Sequence, residues 1–358
     1  MSKQQQTPFR IERFGVIMEG NPRNPAEAMG VLNPAACRGR DGELYLLPRV
    51  VAAGNYSRIG LGRVRFDGAG DPSGVERLGY ALEPEEGFER NERTAGVEDP
   101  RVTFIPALDL YIMAYTAYGP LGPRIALAQS RDLLTWQRIG PVQFAYEPEY
   151  HTDFNLYTNK DALLFPEPVR APDGELCLAL LHRPTYNVAW WLASGFAMQP
   201  AGIADTRPSI WISYCPLEAA QRDPGRLVSW RGHRLLAAPE QPWEALKIGG
   251  GTPPVRTALG WLTLFHGVSG RIVEGVDLQP DVHYAAGILL LDLDDPRRVL
   301  YRSPQPILQP EGSAETEGIV NNVVFPTGVD VRDPRTLDIY YGMADARIGA
   351  ARLFLPAP

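Results

Sequence analysis

The chain has 358 residues, of which 44% are hydrophobic and 22% charged, an ordinary composition for a soluble globular protein with a sizeable core. Its formal net charge of −7 argues against a nucleic-acid partner, which calls for a basic face. No apolar run approaches a membrane span, the start has no signal-peptide core, and three cysteines (Cys37, Cys177, Cys215) lack metal-ligand spacing, so free thiols in a cytoplasmic protein without a membrane partner are expected.

Residues 1–28, taken first, read as an N-terminal extension. Beyond them helical periodicity is scarce, while 35 glycines and 34 prolines punctuate short β-rich runs. The runs come in pairs. "LYLLPRV" (44–50) precedes "RIGLG" (58–62), and "LYIMAYT" (110–116) precedes "RIALA" (124–128). "LCLALLHR" (176–183) precedes "SIWIS" (209–213), "WLTLFHG" (261–267) precedes "AGILL" (286–290), and "LDIYYGM" (337–343) precedes "RIGAA" (347–351). Tyr45, Tyr111 and Cys177 are spaced by 66 residues, and so are Arg58 and Arg124. Five copies of a strand pair predict an all-β chain and, over 1–358, a single five-bladed β-propeller, with a large β-sandwich or β-helix as the alternative. The first strands end in Arg49, Tyr115, His182 with Arg183, His266 and Tyr341, which predicts a ring of polar groups at one mouth of a central channel.

Between the first two copies stands "GVEDPRV" (96–102), which places Glu98, Asp99 and Arg101 around a proline where a strand begins. A surface turn explains Asp-Pro; so does a catalytic acid held by an arginine. The residues alone leave both open.

The motifs "NPAACRGRDGELYLLPRV", "GVEDPRV", "KDALLFPE", "LLHRP", "IGGGTPPVRTALGWLTLFHGV", "NVVFPTG" and "IYYGMAD", in this order from about residue 30 to about residue 350, carry a family likeness. The chain resembles the β-mannoside phosphorylases and related mannosidases of glycoside hydrolase family 130, which are five-bladed propellers. The resemblance implies inverting phosphorolysis. Inorganic phosphate, as co-substrate and with no further cofactor or metal, attacks a terminal β-mannoside to give α-mannose 1-phosphate and a shortened acceptor. It implies Asp99 as the single catalytic acid and Arg183, Lys247, His266 and Arg207 as the phosphate site. Asn33, Arg49 and Asp345, with Arg58 nearby, are the implied sugar-binding residues. A phosphate nucleophile removes the need for the second carboxylate of ordinary inverting hydrolases, and a dianion calls for arginine-type donors.

Departures and rivals are also readable. Pro184 follows Arg183 where some members have asparagine, so one side-chain donor is missing. The insertion around Trp190, Trp191, Phe196 and Met198 is apolar enough to cover acceptor subsites or to join copies of the chain in a homo-oligomer. A β-mannosidase using water would need Glu244 or Glu317 near the phosphate pocket. A non-catalytic sugar-binding propeller would tolerate loss of Asp99. Arg101 reads as a scaffold residue, His182 as a support for Arg183, and the Asp292–Asp295 run as a turn. The acceptor sugar and its linkage are left open.

Overall fold

The computed structural model describes residues 7–90, 96–186, 199–273 and 279–357. It is all-β, with α-helix among the described residues limited to Leu217–Arg222 and Gly312–Thr316. No helix among them is long and apolar enough to cross a membrane.

Nine of the ten apolar runs lie wholly in strands and "SIWIS" does so from Ile210, but the repeating unit has four strands. The first unit is the antiparallel succession Gly30–Arg38, Leu44–Ala52, Tyr56–Phe66 and Pro72–Leu82. The second runs Gly96–Ile105, Leu110–Gly119, Gly122–Ser130, Gln137–Pro141, and the third Thr158–Leu164, Leu176–Thr185, Ile210–Pro216, Ser229–Ala237. The fourth runs Lys247–Gly250, Gly260–Arg271, Asp281–Leu291, Val299–Arg302. The fifth has only three strands in sequence, Val324–Asp333, Thr336–Met343 and Arg347–Phe354. Its fourth comes from the other end of the chain. Arg10–Glu19 pairs antiparallel with Arg347–Phe354, so the expected extension supplies a strand to the last unit.

The continuous apolar runs have a physical reason. Successive side chains on a strand point to opposite faces, and a strand covered on both faces is apolar at every position. In Leu110–Gly119, Tyr111, Met113 and Tyr115 pack with Tyr45, Leu47 and Ile59 of the first unit. The intervening Leu110, Ile112 and Ala114 pack with Leu178, Leu180 and Trp211 of the third. Cys177, Ala179 and Leu181 then meet Trp261 and Phe265 of the fourth, and Leu262 and Leu264 meet Leu337 and Ile339 of the fifth. Tyr340 and Ile348 of the fifth pack against Leu44 and Leu46 of the first. The cores therefore follow one another in a closed cyclic order.

A second repeat is electrostatic. Before the first strand of four units stands a buried glutamate that accepts from an arginine on that unit's outermost strand. Glu27 accepts from Arg77 at 2.8 Å, Glu89 from Arg138 at 2.9 Å, Glu244 from Arg302 at 2.6 Å and Glu315 from Arg13 at 3.0 Å. In the third unit Glu147 takes the same place through the backbone N–H of Gly232 at 2.7 Å. Each clamp ties the entry of its unit to its outer edge. Leaving one of these four buried glutamates unpaired costs about 3–5 kcal/mol.

Candidate active site

The innermost strand of three units carries the same irregularity. Leu32 faces Arg49 and Ala35 faces Leu47, so Asn33 and Pro34 together oppose one residue. Asp99 and Pro100 do so between Glu98 and Arg101, and Asp161 and Ala162 between Lys160 and Leu163. The first residue of each bulge is left-handed, with φ of 43° at Asn33, 48° at Asp99 and 58° at Asp161. Asn and Asp tolerate this region better than other side-chain-bearing residues, and a bulge re-aims its side chain while sparing proline a ladder hydrogen bond. "GVEDPRV" is thus a bulge inside a strand, its acid turned inward. Arg101, buried, secures it by donating Nη1 to the Asp99 carbonyl at 3.0 Å, Nε to that of Gly251 at 3.1 Å and Nη2 to that of Gly250 at 2.9 Å.

The three bulged side chains line one cavity of about 180 Å³, whose wall carries Arg49, Lys160, Arg183 and Lys247 against Asp99, Asp161 and Asp345. Asp99 Oδ1 accepts from Asn33 Nδ2 at 2.9 Å and Arg49 Nη1 at 3.3 Å, while Oδ2 accepts no hydrogen bond among the described residues. Burial pushes the Asp99 carboxyl up, but Arg49, then Lys160, Arg101 and the Asn33 hydrogen bond, outweigh it and hold the acid below its usual range. Arg183 donates Nε to Asp161 Oδ2 at 2.5 Å, and His266 Nε2 lies 3.6 Å from the same oxygen. Burial opposes ionisation of Asp161 too, yet the guanidinium groups of Arg183 and Arg101 and the Arg183 hydrogen bond keep it a carboxylate. His266 is pushed down to about 3 by burial, with Arg183, Lys247 and Arg101 adding to the effect against Asp161, so it is a neutral ring here rather than a cation. The glycines of "IGGG" permit this contact, since a Cβ on Gly249 would lie 2.2 Å from Asp161 Oδ2 and 2.7 Å from His266 Nε2. Lys247 forms no ion pair among the described residues, and its Nζ sits 5.4 Å over the ring of Tyr284.

Asp345 sits in the hairpin after Met343, with φ of 49° following Ala344 at 48°. It makes no hydrogen bond or ion pair among the described residues, and its carboxyl is pushed up to about 6, by burial first and then by Asp99 and Glu98, against Arg49. A proton held more tightly folded than unfolded stabilises the fold fully below about pH 3.8, and that stability is lost as pH rises through about 6. Asp345→Asn is therefore expected to raise Tm at pH 7, to leave it unchanged below pH 4, and to weaken sugar binding. Thermal melts at the two pH values check the sign, and equal shifts at both would refute it.

Of the expected site residues, Asp99, Asn33, Arg49, Asp345, Arg183, Lys247 and His266 are brought together on the cavity wall. Arg207 is not. It forks onto Asp205, with Nη2 2.6 Å from Oδ2, and donates to the Pro239 carbonyl, a partly exposed position off the cavity. Arg58 is also elsewhere, 2.8 Å from Glu83 and over the ring of Tyr56. Of the five strand-end residues expected to form a ring, Tyr115 and Tyr341 point away, their hydroxyls donating to the clamp carboxylates Glu89 and Glu315. His182 donates or accepts in a buried chain through Ser213 Oγ at 2.8 Å to His233. Trp190, Trp191, Phe196 and Met198 lie outside the described residues. The Asp292 run is a turn, with Oδ1 accepting from the Asp294 and Asp295 N–H groups.

Lys160, Asp161 and Glu98 were not singled out as site residues. Glu98 bridges Arg49 at 2.9 Å and Lys160 at 3.0 Å. Asp161 was findable, because "LNPAA", "EDPRV" and "KDALL" hold Asn33, Asp99 and Asp161 at one place in the repeat. Of the two glutamates a water-based mechanism would need, Glu244 is the fourth unit's clamp and Glu317 follows the Gly312–Thr316 helix; neither lines the cavity.

A family model described as beta-1,4-mannooligosaccharide phosphorylase matches residues 2–355. A 1,2-beta-oligomannan phosphorylase of Thermoanaerobacter sp. (strain X514) is 31% identical over 352 residues, covering 94% of each chain. A beta-1,2-mannobiose phosphorylase of the same organism is 34% identical over 293 residues, covering 77% of this chain and 76% of its own. The solved structure of the beta-1,2-mannobiose phosphorylase from Listeria innocua, in complex with beta-1,2-mannobiose, superposes with a TM-score of 0.67 at 24% identity, covering 96% of this chain and 97% of that one.

Proposed function

The chain belongs to glycoside hydrolase family 130, and from that premise we propose that it is a glycoside phosphorylase that cleaves a terminal β-mannoside with inorganic phosphate, giving α-mannose 1-phosphate and a shortened acceptor. The observation that carries the reading is the convergence of Arg183, Lys247 and His266 on the cavity that also holds Asp99. A dianion entering there meets two cationic side chains and a neutral ring in a site where charge–charge interactions are weakly screened.

The five four-stranded units, with cores in closed cyclic order and a fourth strand of the last unit drawn from residues 10–19, fit a single five-bladed propeller over the chain. Its innermost strands supply the bulged residues. Asn33, Arg49 and Asp345 hold the transferred mannosyl ring beside Asp99. Asp99 is a carboxylate before phosphate enters. Bound phosphate adds negative charge and excludes water, and both effects raise a neighbouring carboxyl so that Asp99 takes up a proton. An oxygen of hydrogen phosphate then bonds to the anomeric carbon as the bond to the acceptor oxygen breaks. The acceptor oxygen takes the Asp99 proton, directly or through a sugar hydroxyl, and the proton that phosphate brought in restores the acid. The three cysteines, all free thiols, suit a reducing, cytoplasmic setting. Arg207 and Arg58, committed to Asp205 and Glu83, keep at most a supporting part.

Incubation with β-1,2-mannobiose, β-1,4-mannobiose and mannosyl-glucose, each with and without phosphate, tests the proposal. Mannose 1-phosphate is expected only when phosphate is present. Free mannose released equally in both conditions would overturn it in favour of a β-mannosidase.

A further inference from the structure

Arg183 stands where the strand pairing of the third unit is interrupted on both sides. Lys160 faces Arg183 and Asn159 faces Pro184, which has no N–H to give to the ladder, and the Asp161–Ala162 bulge follows Lys160 at once. Main-chain pairing alone therefore fixes the Asp161–Arg183 contact poorly. The opposite face of the same two strands supplies what the ladder lacks. Successive side chains on a strand alternate between faces, so Asn159 and His182, each one residue before Lys160 and Arg183, turn away from the cavity and meet each other, with Asn159 Nδ2 3.0 Å from His182 Nδ1.

From there a chain of buried polar groups crosses the unit. His182 Nε2 lies 2.8 Å from Ser213 Oγ, Ser213 Oγ 2.8 Å from His233 Nδ1, and His233 Nε2 3.0 Å from the Ala145 carbonyl. Asn159, His182, Ser213 and His233 come one from each strand of the unit, and all are buried. Phe144 and Phe154 pack on both rings, with centroids 4.5 Å apart for Phe144 and His182 and 5.0 Å for Phe154 and His233. Burial holds both histidines below their ordinary value, His182 well below it. Each ring is then neutral, with one donor and one acceptor. The Ala145 carbonyl only accepts, so His233 carries its proton on Nε2 and accepts at Nδ1 from the Ser213 hydroxyl. Ser213 Oγ in turn accepts from His182 Nε2–H. His182 Nδ1 is left as an acceptor, which selects the amide nitrogen of Asn159 at 3.0 Å over its oxygen at 3.3 Å.

We propose that this one-way chain positions the phosphate end of the site, with His182 and Asn159 the positioning residues that hold the innermost strand against its neighbour so that Asp161 and Arg183 stay aligned for an oxyanion. The identity of that anion rests on the phosphorylase reading. Neither residue lines the cavity; both act through the backbone of the residues beside them. A polar chain buried among aromatic rings is costly unless every member is satisfied. A slip of one residue between the two strands would turn Asn159 to the other face and leave His182 Nδ1 without its donor.

Steady-state kinetics of the whole enzyme at varied phosphate and varied mannoside, beside thermal melts, tests this. His182→Gln keeps a group within reach of Ser213 but offers Asn159 no acceptor, and Asn159→Leu fills similar space without a donor. Both are expected to raise KM for phosphate about tenfold and to leave KM for the mannoside within about twofold, since a misplacement of about 1 Å is enough to cost that much. His182→Asn, whose Oδ1 stands where Nδ1 stood, should recover most of the phosphate affinity although its Tm falls as it does in His182→Gln. A purely structural chain would lower Tm and leave both KM values alone. That result, or equal changes in the two KM values, would overturn the proposal. Ring-nitrogen NMR of the wild-type protein, isotope-labelled in its histidines, needs no variant. His182 and His233 should both show the Nε2–H tautomer at neutral pH, and an Nδ1–H form of either would overturn the chain's direction and the proposal with it. Failure of the phosphorylase reading looks different: wild-type turnover would ignore phosphate, which ends the phosphate role, while the two tautomers would stay as described.

Discussion

Asp99→Asn is expected to lower kcat for phosphorolysis by about 10³-fold while leaving β-mannobiose affinity within a few-fold of wild type. A positioned general acid contributes about 10²–10⁴-fold, and asparagine has no proton to give at the acceptor oxygen. The substitution suits the site structurally. Asn adopts the left-handed conformation that the bulge demands at φ 48°. Its carbonyl oxygen can still accept from Asn33 and Arg49 as Oδ1 does now. Losing one negative charge between Arg49, Lys160 and Arg101 is cushioned, since Glu98 remains 2.9 Å from Arg49 and 3.0 Å from Lys160. Steady-state kinetics with calorimetry checks both halves. A kcat within tenfold of wild type would remove Asp99 from the chemistry.

The second large effect is expected at the phosphate end. Lys247→Met should raise KM for phosphate about 10- to 100-fold, with the KM for the mannoside little changed. Hydrogen bonds to charged groups contribute about 1.5–3 kcal/mol, and the methionine keeps the apolar stem against Tyr284 while removing the charge. Lys247 forms no ion pair among the described residues, so no buried carboxylate is left without its partner. Arg183→Ala is the less clean experiment for that reason, because it strips the 2.5 Å partner from Asp161 and costs stability as well as phosphate affinity. Kinetics at varied phosphate, beside a thermal melt, separates the two variants. An unchanged phosphate KM in Lys247→Met would place phosphate elsewhere.

Much of the fold was legible because its cause is local. The two middle strands of every unit are covered on both faces, so their apolar runs are unbroken and coincide with strands to within a residue. The innermost strands escaped notice for an equally local reason. Asn33-Pro34, Asp99-Pro100 and the glycines 249–251 interrupt them, and a bulge breaks the alternation that marks a strand. These interruptions are where the site is made. The roles proposed for Asp99, Arg183, Lys247 and His266 came from family likeness and not from periodicity, which is silent on chemistry. Arg207 and Arg58, also named by that likeness, lie off the cavity wall in ion pairs with Asp205 and Glu83, which local geometry decides.

By itself, then, the sequence determined the repeat of strands, because side-chain patterning and backbone sterics act within a few residues. Only the tertiary structure decided which charges meet. Strand pairing within the third unit sets Asp161 beside Arg183, contact with neighbouring units adds Arg101 and His266, and Glu244 is held in the fourth unit's clamp and off the cavity wall. Which partner neutralises a buried charge depends on distances of a few ångströms, and those are fixed by packing between units and not by spacing along the chain.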